Sequence, residues 1–588
     1  MSHKTQRMIA ELVCVLLLGM TSLFASTDAA QCTFGVVQGI ARDPGGLLPV
    51  SGAEVILHDA VNGTDQKRVS GEDGAFCFEK VLPGRYQLRA TKSGFGNSQA
   101  TTFDLAAGPS VSKDVTLGTD DPPLAKSAHA PQGGFFKRFG KAYGDDWKGT
   151  SNDSGPAPQR RGNPAPVDGP PFPFSDWPYG GSVVIGAPWT QSSPLMQAIW
   201  SGPSGDAWKR SGIQIYGWLN GGFNISTSGT KDGHYGNAPA AYYLVPNSFQ
   251  PDQEVLYIER QPDTVQTDHF DWGFRLTNLY GIDYRFTTAN GYFSQQLLGA
   301  HSREYGDDLV MAYVDLYFPQ VAEGMNVRIG RYISLPDIEA QLAPNNYTYS
   351  HSLLYTFDAY TQTGINITTK LNNHWLVQVG LSAGNDVAPW VGEPDAKPTL
   401  NFCLAYSWED GRDNHYACLN SLNSGKYAYN NVQSVYYTWY HKFGHSSWHT
   451  DTEWWYMWEK DVPNVNPAGA LAGAAALLIN GANGAWCDSP QQLTCTAPET
   501  AVVNYVEKQF GKHDYLTIRN EFFDDIQGQR TGFKTKYSEH LLGWGHWIGT
   551  TILVRPELRY EHSYDLPVYN SGTRKDQLIF ASDAIFFF

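Results

Sequence analysis

The segment ILVRPELRYE, residues 552–561, decides the fold because apolar and charged side chains alternate along it with a period of two. Successive side chains of an extended strand point to opposite sides, so Ile552, Val554 and Leu558 share one side. The other side carries four charges: Arg555, Glu557, Arg559 and Glu561. Such charges are costly against lipid and stable in a water-filled lumen. The segment therefore predicts one strand of a transmembrane β-barrel.

The same alternation recurs from about residue 208 to residue 588, in segments of roughly ten residues. The chain ends in one such segment, LIFASDAIFFF (578–588), with a terminal aromatic residue. Aromatic clusters at WWYMW (454–458) and WGHW (544–547) are predicted to lie at strand ends, where they would form girdles at the two membrane interfaces. Each strand, together with its share of turns and loops, takes up roughly 22 to 28 residues. The prediction is therefore an antiparallel barrel of about 14–16 strands.

Charged residues on the polar side of these segments are predicted to line the lumen. Their role would be electrostatic, setting charge preference and solute orientation. The candidates are Arg275, Asp283, Arg285, Asp315, Arg328, Lys370, Arg519, Glu521, Arg555, Glu557, Arg559 and Glu561. No catalytic motif, cofactor or metal site is predicted.

The amino-acid composition excludes helical folds and nucleic-acid binding. The 588 residues have a mean hydropathy of −0.37, too polar for a bundle of membrane-spanning helices. The 59 Gly and 34 Pro disfavour a helical bundle, and the formal net charge of −16 repels nucleic acid. The fold class is therefore all-β.

Residues 1–30 have the order of a secretory signal peptide: Lys4 and Arg7, an apolar stretch, then small residues. We expect an exported chain, in which disulfides can form. Its six remaining cysteines suggest three pairs, two of them loop staples, although six free thiols are the alternative. The pairs are Cys32–Cys77, Cys403–Cys418 and Cys487–Cys495.

Residues 31–118 show short strands separated by turn signals, which predicts a β-sandwich. The motifs DGAFCF (73–78), PGRYQL (83–88) and GF (94–95) resemble those of carboxypeptidase regulatory-like (transthyretin-like) domains. The resemblance implies a folding or interaction module without catalytic groups.

Residues 119–207 are rich in Pro and Gly and are predicted to be a linker. Within it, FFKRFGKAY (135–143) is either ordered linker or a short amphipathic turn at a membrane.

Two late motifs narrow the family of the barrel, residues 208–588. RNEFFDDIQGQRTG (519–532) and LVRPELRYE (553–561) resemble the penultimate strands of the OmpL-like β-barrel porins, the porin-2 group. The resemblance implies passive diffusion of small hydrophilic solutes through the outer membrane of a Gram-negative cell. It also implies contact with outer-membrane lipid and a periplasmic sandwich domain. Analogy with general porins suggests a homo-oligomer.

Two other functions compete with this interpretation. Similar sandwich modules precede the plug of TonB-dependent nutrient receptors. The 588 − 207 = 381 residues after residue 207 are too few for a 22-stranded barrel with a plug. An outer-membrane barrel hydrolase would need a Ser/His pair on adjacent strands, and no motif singles one out.

Two further segments bear on metal binding and on the width of the pore. His441, His445 and His449 are spaced by four, but a hairpin turn predicted between them would keep them off one face, so no metal site is expected. The Ala-rich run 468–479 is too short to span a membrane as a helix. It is predicted to be a helix in a surface or inward-folded loop that narrows the pore.

Overall fold

A computed structural model provides the structure of the protein. It describes residues 37–118, 133–148, 185 and 193–588, apart from short gaps in turns and loops and the longer gap 466–483. The predicted signal peptide, Cys32 and the Ala-rich run 468–479 lie outside the described residues. The chain divides into two compact units, Met1–Leu124 and Ala125–Phe588.

The N-terminal unit contains two four-stranded sheets. One has the order β4-β1-β7 with β8 also paired to β1, and the other has the order β3-β2-β5-β6. Inward-facing side chains of both sheets, among them Val37, Phe78, Leu57 and Leu88, form one buried core. This agrees with the predicted sandwich. The strands are β1 Val37–Arg42, β2 Glu54–Asp59, β3 Asp65–Val69, β4 Ala75–Phe78, β5 Gly84–Thr91, β6 Thr101–Leu105, β7 Val111–Ser112 and β8 Val115–Thr116.

The C-terminal unit is a closed barrel of sixteen strands, β9 to β24, at the upper end of the predicted range. Every strand is antiparallel to its neighbours, and β24 pairs with β9 to close the sheet. The strands are β9 Ile213–Ser226, β10 Phe249–Arg260, β11 Asp271–Gly281, β12 Gly306–Phe318, β13 Met325–Ile333, β14 Thr361–Lys370, β15 Trp375–Asn385, β16 Thr399–Trp408, β17 Asp413–Leu422, β18 Gln433–Lys442, β19 Trp448–Pro463, β20 Thr494–Phe510, β21 Asp514–Asp525, β22 Thr535–Ile548, β23 Ile552–Ser563 and β24 Asp576–Phe587.

The two ends of the barrel differ in the length of their connections. One end, here called the short-turn end, has connections such as 371–374, 443–447, 511–513 and 549–551. The long-loop end has connections such as 227–248, 282–305, 334–360 and 464–493. Strand β9 begins and β24 ends at the short-turn end. This asymmetry is typical of outer-membrane barrels.

The burial pattern confirms the facing predicted from the period of two. On β23, Leu558 is 45% exposed on the outer side, while its neighbour Arg559 is fully buried inside. On β24, Leu578 and Phe580 face outward as predicted. Lipid is the favourable environment for such apolar side chains, which would be an aggregation risk in water.

One aromatic cluster lies where it was predicted and the other does not. Trp544, 47% exposed, lies near the short-turn end of β22. Residues 454–458 lie inside β19 rather than at its end, because β19 is a long strand, Trp448–Pro463. Trp455 faces the interior, where it is fully buried, so it does not belong to a girdle.

Two parts of the predicted linker are helical. Helix α1 is Phe135–Trp147, and α2 (Pro194–Trp200) and α3 (Gly205–Ser211) precede β9. Aromatic residues four apart share one face of a helix, and in α1 their ring centroids are 5.1–5.9 Å apart along Phe135, Phe139, Tyr143 and Trp147. The side chain of Ser193 caps α2, and Pro194 is its first residue. The ring of proline fixes its φ angle at a value that suits a helix. No described helix is long and apolar enough to cross a membrane.

Candidate functional site

The interior of the barrel is occupied by the connection 334–360, here called the inner loop. Its described residues from Asp337 to Tyr360 are buried, although a connection normally lies on the surface. It includes the 3-10 turn Ala343–Asn345 and the short helix α5, Leu353–Thr356. A second short helix, α4 (Tyr284–Thr287), lies in the connection 282–305. The site is therefore the barrel wall together with this loop.

Charged residues of the wall hold the main chain of the inner loop. Glu557 accepts hydrogen bonds from the amides of Tyr349 and Ser350, at 3.0 and 3.2 Å. Glu521 accepts hydrogen bonds from the amides of Leu353, at 2.9 Å, and Leu354, at 2.5 Å. These bonds satisfy main-chain polar groups of a buried connection. Two of the predicted lumen residues, Glu521 and Glu557, therefore bind the inner loop inside the barrel.

Arginine residues hold the loop from the same side. Arg519 donates to the carbonyl of Ser350 at 2.6 Å, and Arg559 donates to that of His351 at 2.9 Å. Arg555 donates to two loop carbonyls, each at 2.8 Å. Guanidinium groups suit this role because one side chain can donate several bonds in fixed directions. Strands β21 and β23 thus bind the inner loop through both arginine and glutamate side chains.

The same arginines also pair with carboxylates of neighbouring strands. Arg519 is 2.7 Å from Glu539, and Arg559 is 2.8 Å from Glu539. Arg555 donates to both carboxylate oxygens of Asp583 through Nε and Nη2. On the other wall, Arg275 is 2.7 Å from Glu259 and Arg328 is 2.8 Å from Asp315. Opposite charges within one wall cancel each other's field at a distance. The electrostatic field of these ion pairs therefore acts mainly on groups close to them.

Nine of the twelve candidate lumen residues lie on the inner face of barrel strands and are buried. They are Arg275, Asp315, Arg328, Arg519, Glu521, Arg555, Glu557, Arg559 and Glu561. They are packed against the inner loop or paired with neighbouring strands, rather than exposed on a wide pore. Whether they set selectivity stays a prediction.

The other three candidates lie outside this group. Asp283 and Arg285 are buried but lie in the connection after β11, because the strand ends at Gly281, whose φ of +142° few other residues adopt. Their alternation with Ile282 and Tyr284 imitates a strand. Lys370 ends β14, is about one quarter exposed, and lies 3.6 Å from Glu323 in a short turn.

The cysteine pairs 403–418 and 487–495 are bonded in the structure. The prediction of a loop location was wrong for the first pair: Cys403 and Cys418 are directly opposite each other on β16 and β17 and face the interior. The Asn- and Ser-rich sequence around Cys418 indicated a loop, but these polar side chains face the lumen. Because Cys32 lies outside the described residues, its pairing with Cys77 stays a prediction.

The histidines spaced by four separate as the hairpin prediction requires. His441 lies on the outer face, 2.6 Å from Asp413, and His449 is buried inside. His445 lies outside the described residues. The sequence prediction did not include the inner loop and placed an inward-folded segment at 468–479 instead. The signal for the inner loop was the run PNNYTYSHSLLYT (344–356), rich in uncharged polar and aromatic residues.

A closed barrel that is apolar outside and charged inside defines an outer-membrane β-barrel of the porin class. Residues 212–588 match the family described as "Putative beta-barrel porin-2, OmpL-like", and residues 36–118 match the carboxypeptidase regulatory-like domain. The chain belongs to the OmpL-like porin-2 family. It is therefore a porin-like barrel of the outer membrane that carries an N-terminal carboxypeptidase regulatory-like domain.

Comparison with solved structures finds several outer-membrane porins. The anion-selective porin from Comamonas acidovorans is 9% identical, with a TM-score of 0.41, and the match covers 64% of this chain and 99% of that chain. The channel DcaP of Acinetobacter baumannii is 10% identical, with a TM-score of 0.40 and coverage of 64% and 97%. OprB of Pseudomonas putida is 11% identical, with a TM-score of 0.36 and coverage of 67% and 98%. No curated protein sequence matches the chain.

Proposed function

We propose that the protein is a channel for passive diffusion of small hydrophilic solutes across the outer membrane. The observation that carries the proposal is the two-sided wall, with exposed apolar side chains such as Leu558 outside and charged side chains such as Arg559 inside. Polar groups along a lumen stabilise water and polar solutes at membrane depth. Sixteen strands are typical of diffusion porins, whereas energy-driven receptors use 22 strands and a plug.

In this proposal the inner loop sets the upper size of the solute. It occupies the lumen between β21, β23 and the opposite wall, and Glu521 and Glu557 fix its main chain. A loop held by charge-assisted hydrogen bonds keeps one position more strictly than a loop held by packing alone. Solutes would pass beside it.

The proposal extends to a preference for cations over anions. Among the described residues, buried carboxylates outnumber buried guanidinium groups. Asp337 and Asp358 are buried residues of the inner loop, and Glu453 of β19 accepts a hydrogen bond from the loop amide of Ile338 at 2.8 Å. Rings of acidic residues favour cations in channels. Reversal potentials across a salt gradient measure this preference.

The proposal also assigns the short-turn end to the periplasm, because outer-membrane barrels have short turns on that side. The N-terminal sandwich precedes β9, and β9 begins at this end. We therefore expect the sandwich to be periplasmic. A protease added to intact cells should then leave the sandwich intact, and cleavage there would contradict the assignment.

Planar-bilayer recording of the purified full-length protein tests the channel function. We expect stepwise ohmic currents without any energy source. A protein that never conducts, or whose uptake of solute requires cellular energy, would overturn the proposal. Hydrolysis of lipid by a silent barrel would instead favour an enzyme. Mass photometry in detergent reports whether the protein forms a homo-oligomer.

A further inference from the structure

Three titratable side chains meet on the inner wall near the short-turn end, outside the set of charges that holds the inner loop. His449 and Asp451 are two apart on β19 and face the interior. Glu507 lies on β20 directly opposite His449 in the register of the two strands. A cross-strand pair and the next inward residue on one strand have side chains close enough to share a ligand. The sheet therefore brings these three groups together.

Their possible ligand atoms form a tight cluster. One imidazole nitrogen of His449 and one carboxylate oxygen each of Asp451 and Glu507 lie within 4.8 Å of one another. The His449 Nε2 to Glu507 Oε2 distance is 2.5 Å. All three residues are buried, with exposed fractions of 3%, 0% and 1%.

Asp451 differs from those buried carboxylates of this barrel that pair with an arginine. Neither of its oxygens has a hydrogen-bond partner among the described residues. Asp315 and Glu539, by contrast, each bind an arginine. A carboxylate without a partner is strongly disfavoured in a buried site, and two carboxylates side by side are more so. A cation between Asp451, Glu507 and His449 would remove this cost.

We propose that His449, Asp451 and Glu507 bind a divalent transition-metal ion on the inner wall of the barrel. One imidazole and two carboxylates are ligands for Zn²⁺ or Mn²⁺, whereas Ca²⁺ sites use six to eight oxygen atoms. Three protein ligands leave further positions of the ion open to water. The site needs no group from the Ala-rich connection or the sandwich.

The inner loop borders this site. The hydroxyl of Tyr347 lies 3.3 Å from His449 Nε2, and its ring centroid is 5.7 Å from that of the imidazole. The ring of Tyr440, on β18, packs on the imidazole at 5.6 Å. The ion would therefore join β19 and β20 next to the point where the inner loop touches this wall, and it would make the loop harder to displace.

Metal content of the purified full-length protein tests the proposal without any reference to conduction. Protein stripped with a chelator is titrated with Zn²⁺, and bound metal is measured after removal of the free ion. We expect an equimolar amount to be retained. Loss of a group that only orients a ligand costs about 10- to 100-fold in affinity, so Asp451→Asn and Glu507→Gln should lose at least about tenfold.

The matched control is His562→Gln. His562 also lies close to a carboxylate, 2.6 Å from Asp576, but on the outer face of β23. This substitution should leave Zn²⁺ retention unchanged. Equal retention by Asp451→Asn and the unmodified protein, or loss of retention in the control alone, would overturn the proposal.

A measurement on the unmodified protein covers the case in which a variant does not assemble. X-ray absorption at the zinc edge should show one imidazole in the ligand shell, with oxygen atoms for the rest. Failure of the stripped protein to retain Zn²⁺ would instead mean that His449 and Glu507 share a proton and that Asp451 is neutral. A protein that binds Zn²⁺ but does not conduct would refute the channel function and support the metal site.

Discussion

The hydroxyl of Tyr143 donates a hydrogen bond to the main-chain carbonyl of Phe587, 2.7 Å away, and so joins helix α1 to the last strand of the barrel. The Tyr143 ring also stacks on Phe586 at 5.1 Å. The carboxylate of Asp146 accepts bonds from the turn between β22 and β23, including one from the amide of Thr550 at 2.9 Å. Helix α1 is therefore docked on the barrel at the short-turn end.

We expect Asp146→Asn to loosen this helix without affecting assembly of the barrel. Hydrogen bonds to a charged group contribute about 1.5–3 kcal/mol, more than those to a neutral amide. Hydrogen exchange of residues 135–147 should become faster. Asp145→Asn is the matched control, because Asp145 pairs with Lys141 of the same helix at the surface. Equal acceleration in the two variants would contradict the docking role of Asp146.

A second prediction concerns the space that Gly222 leaves for the inner loop. A Cβ atom at this position would lie 2.4 Å from the ring of Tyr349, closer than any real carbon contact. Gly222→Ala should therefore displace Tyr349 and this part of the loop. We expect a larger or noisier single-channel conductance.

Gly221→Ala is the control for this prediction. At Gly221 the nearest atom to a new Cβ is the carbonyl oxygen of Gln250, at 3.2 Å, and the inner loop is not among its nearest contacts. The conductance of this variant should stay near that of the unmodified protein. If both variants conduct alike, the inner loop does not limit the current.

The wall of the barrel could be predicted from the sequence because each strand obeys a local rule. Alternation at 552–561 gives the correct facing of Leu558 and Arg559 without any knowledge of neighbours. The same rule failed at Asp283, where a connection imitates the alternation of a strand. It also could not give the strand length that puts Trp455 inside β19.

The contents of the lumen could not be predicted in the same way, because they depend on contacts between distant parts of the chain. Glu557 binds the amide of Tyr349 although 208 residues separate them. His449 meets Glu507 only because β19 and β20 pair in one register. Nothing near these residues in the sequence indicates such partners. The sequence therefore identifies the charged residues of the wall but not the groups that they bind.

A third prediction concerns acid stability of the N-terminal sandwich. Burial raises the pKa of Asp114, but hydrogen bonds from Arg42, at 2.7 Å, and from the amide of Ile40, at 3.0 Å, lower it more. The net pKa lies below its usual value of 3.8. A pKa lowered by folding gives stability that is present above the unfolded value and lost as pH falls through the folded value.

Asp114→Asn should therefore destabilise the sandwich near neutral pH and flatten the decline in its stability below about pH 4. Hydrogen exchange of residues 37–42 in the full-length protein, measured at several pH values, reports both effects. Asp104→Asn removes an exposed carboxylate of β6 and is the control. A pH dependence in Asp114→Asn equal to that of the unmodified protein would exclude this carboxylate as the cause.

The last prediction uses depth in the membrane to test the outer face of β23. Leu558 lies in the middle of this strand and is 45% exposed, whereas Val554 lies near the short-turn end. An arginine facing lipid costs about 2–4 kcal/mol at the midplane and about 0–1 kcal/mol near an interface. Leu558→Arg should therefore impair barrel assembly much more than Val554→Arg. Resistance of the folded barrel to unfolding by heat in detergent, read from gel mobility, measures assembly. Equal effects of the two substitutions would mean that this face of β23 does not contact the hydrocarbon core of a membrane in the predicted way.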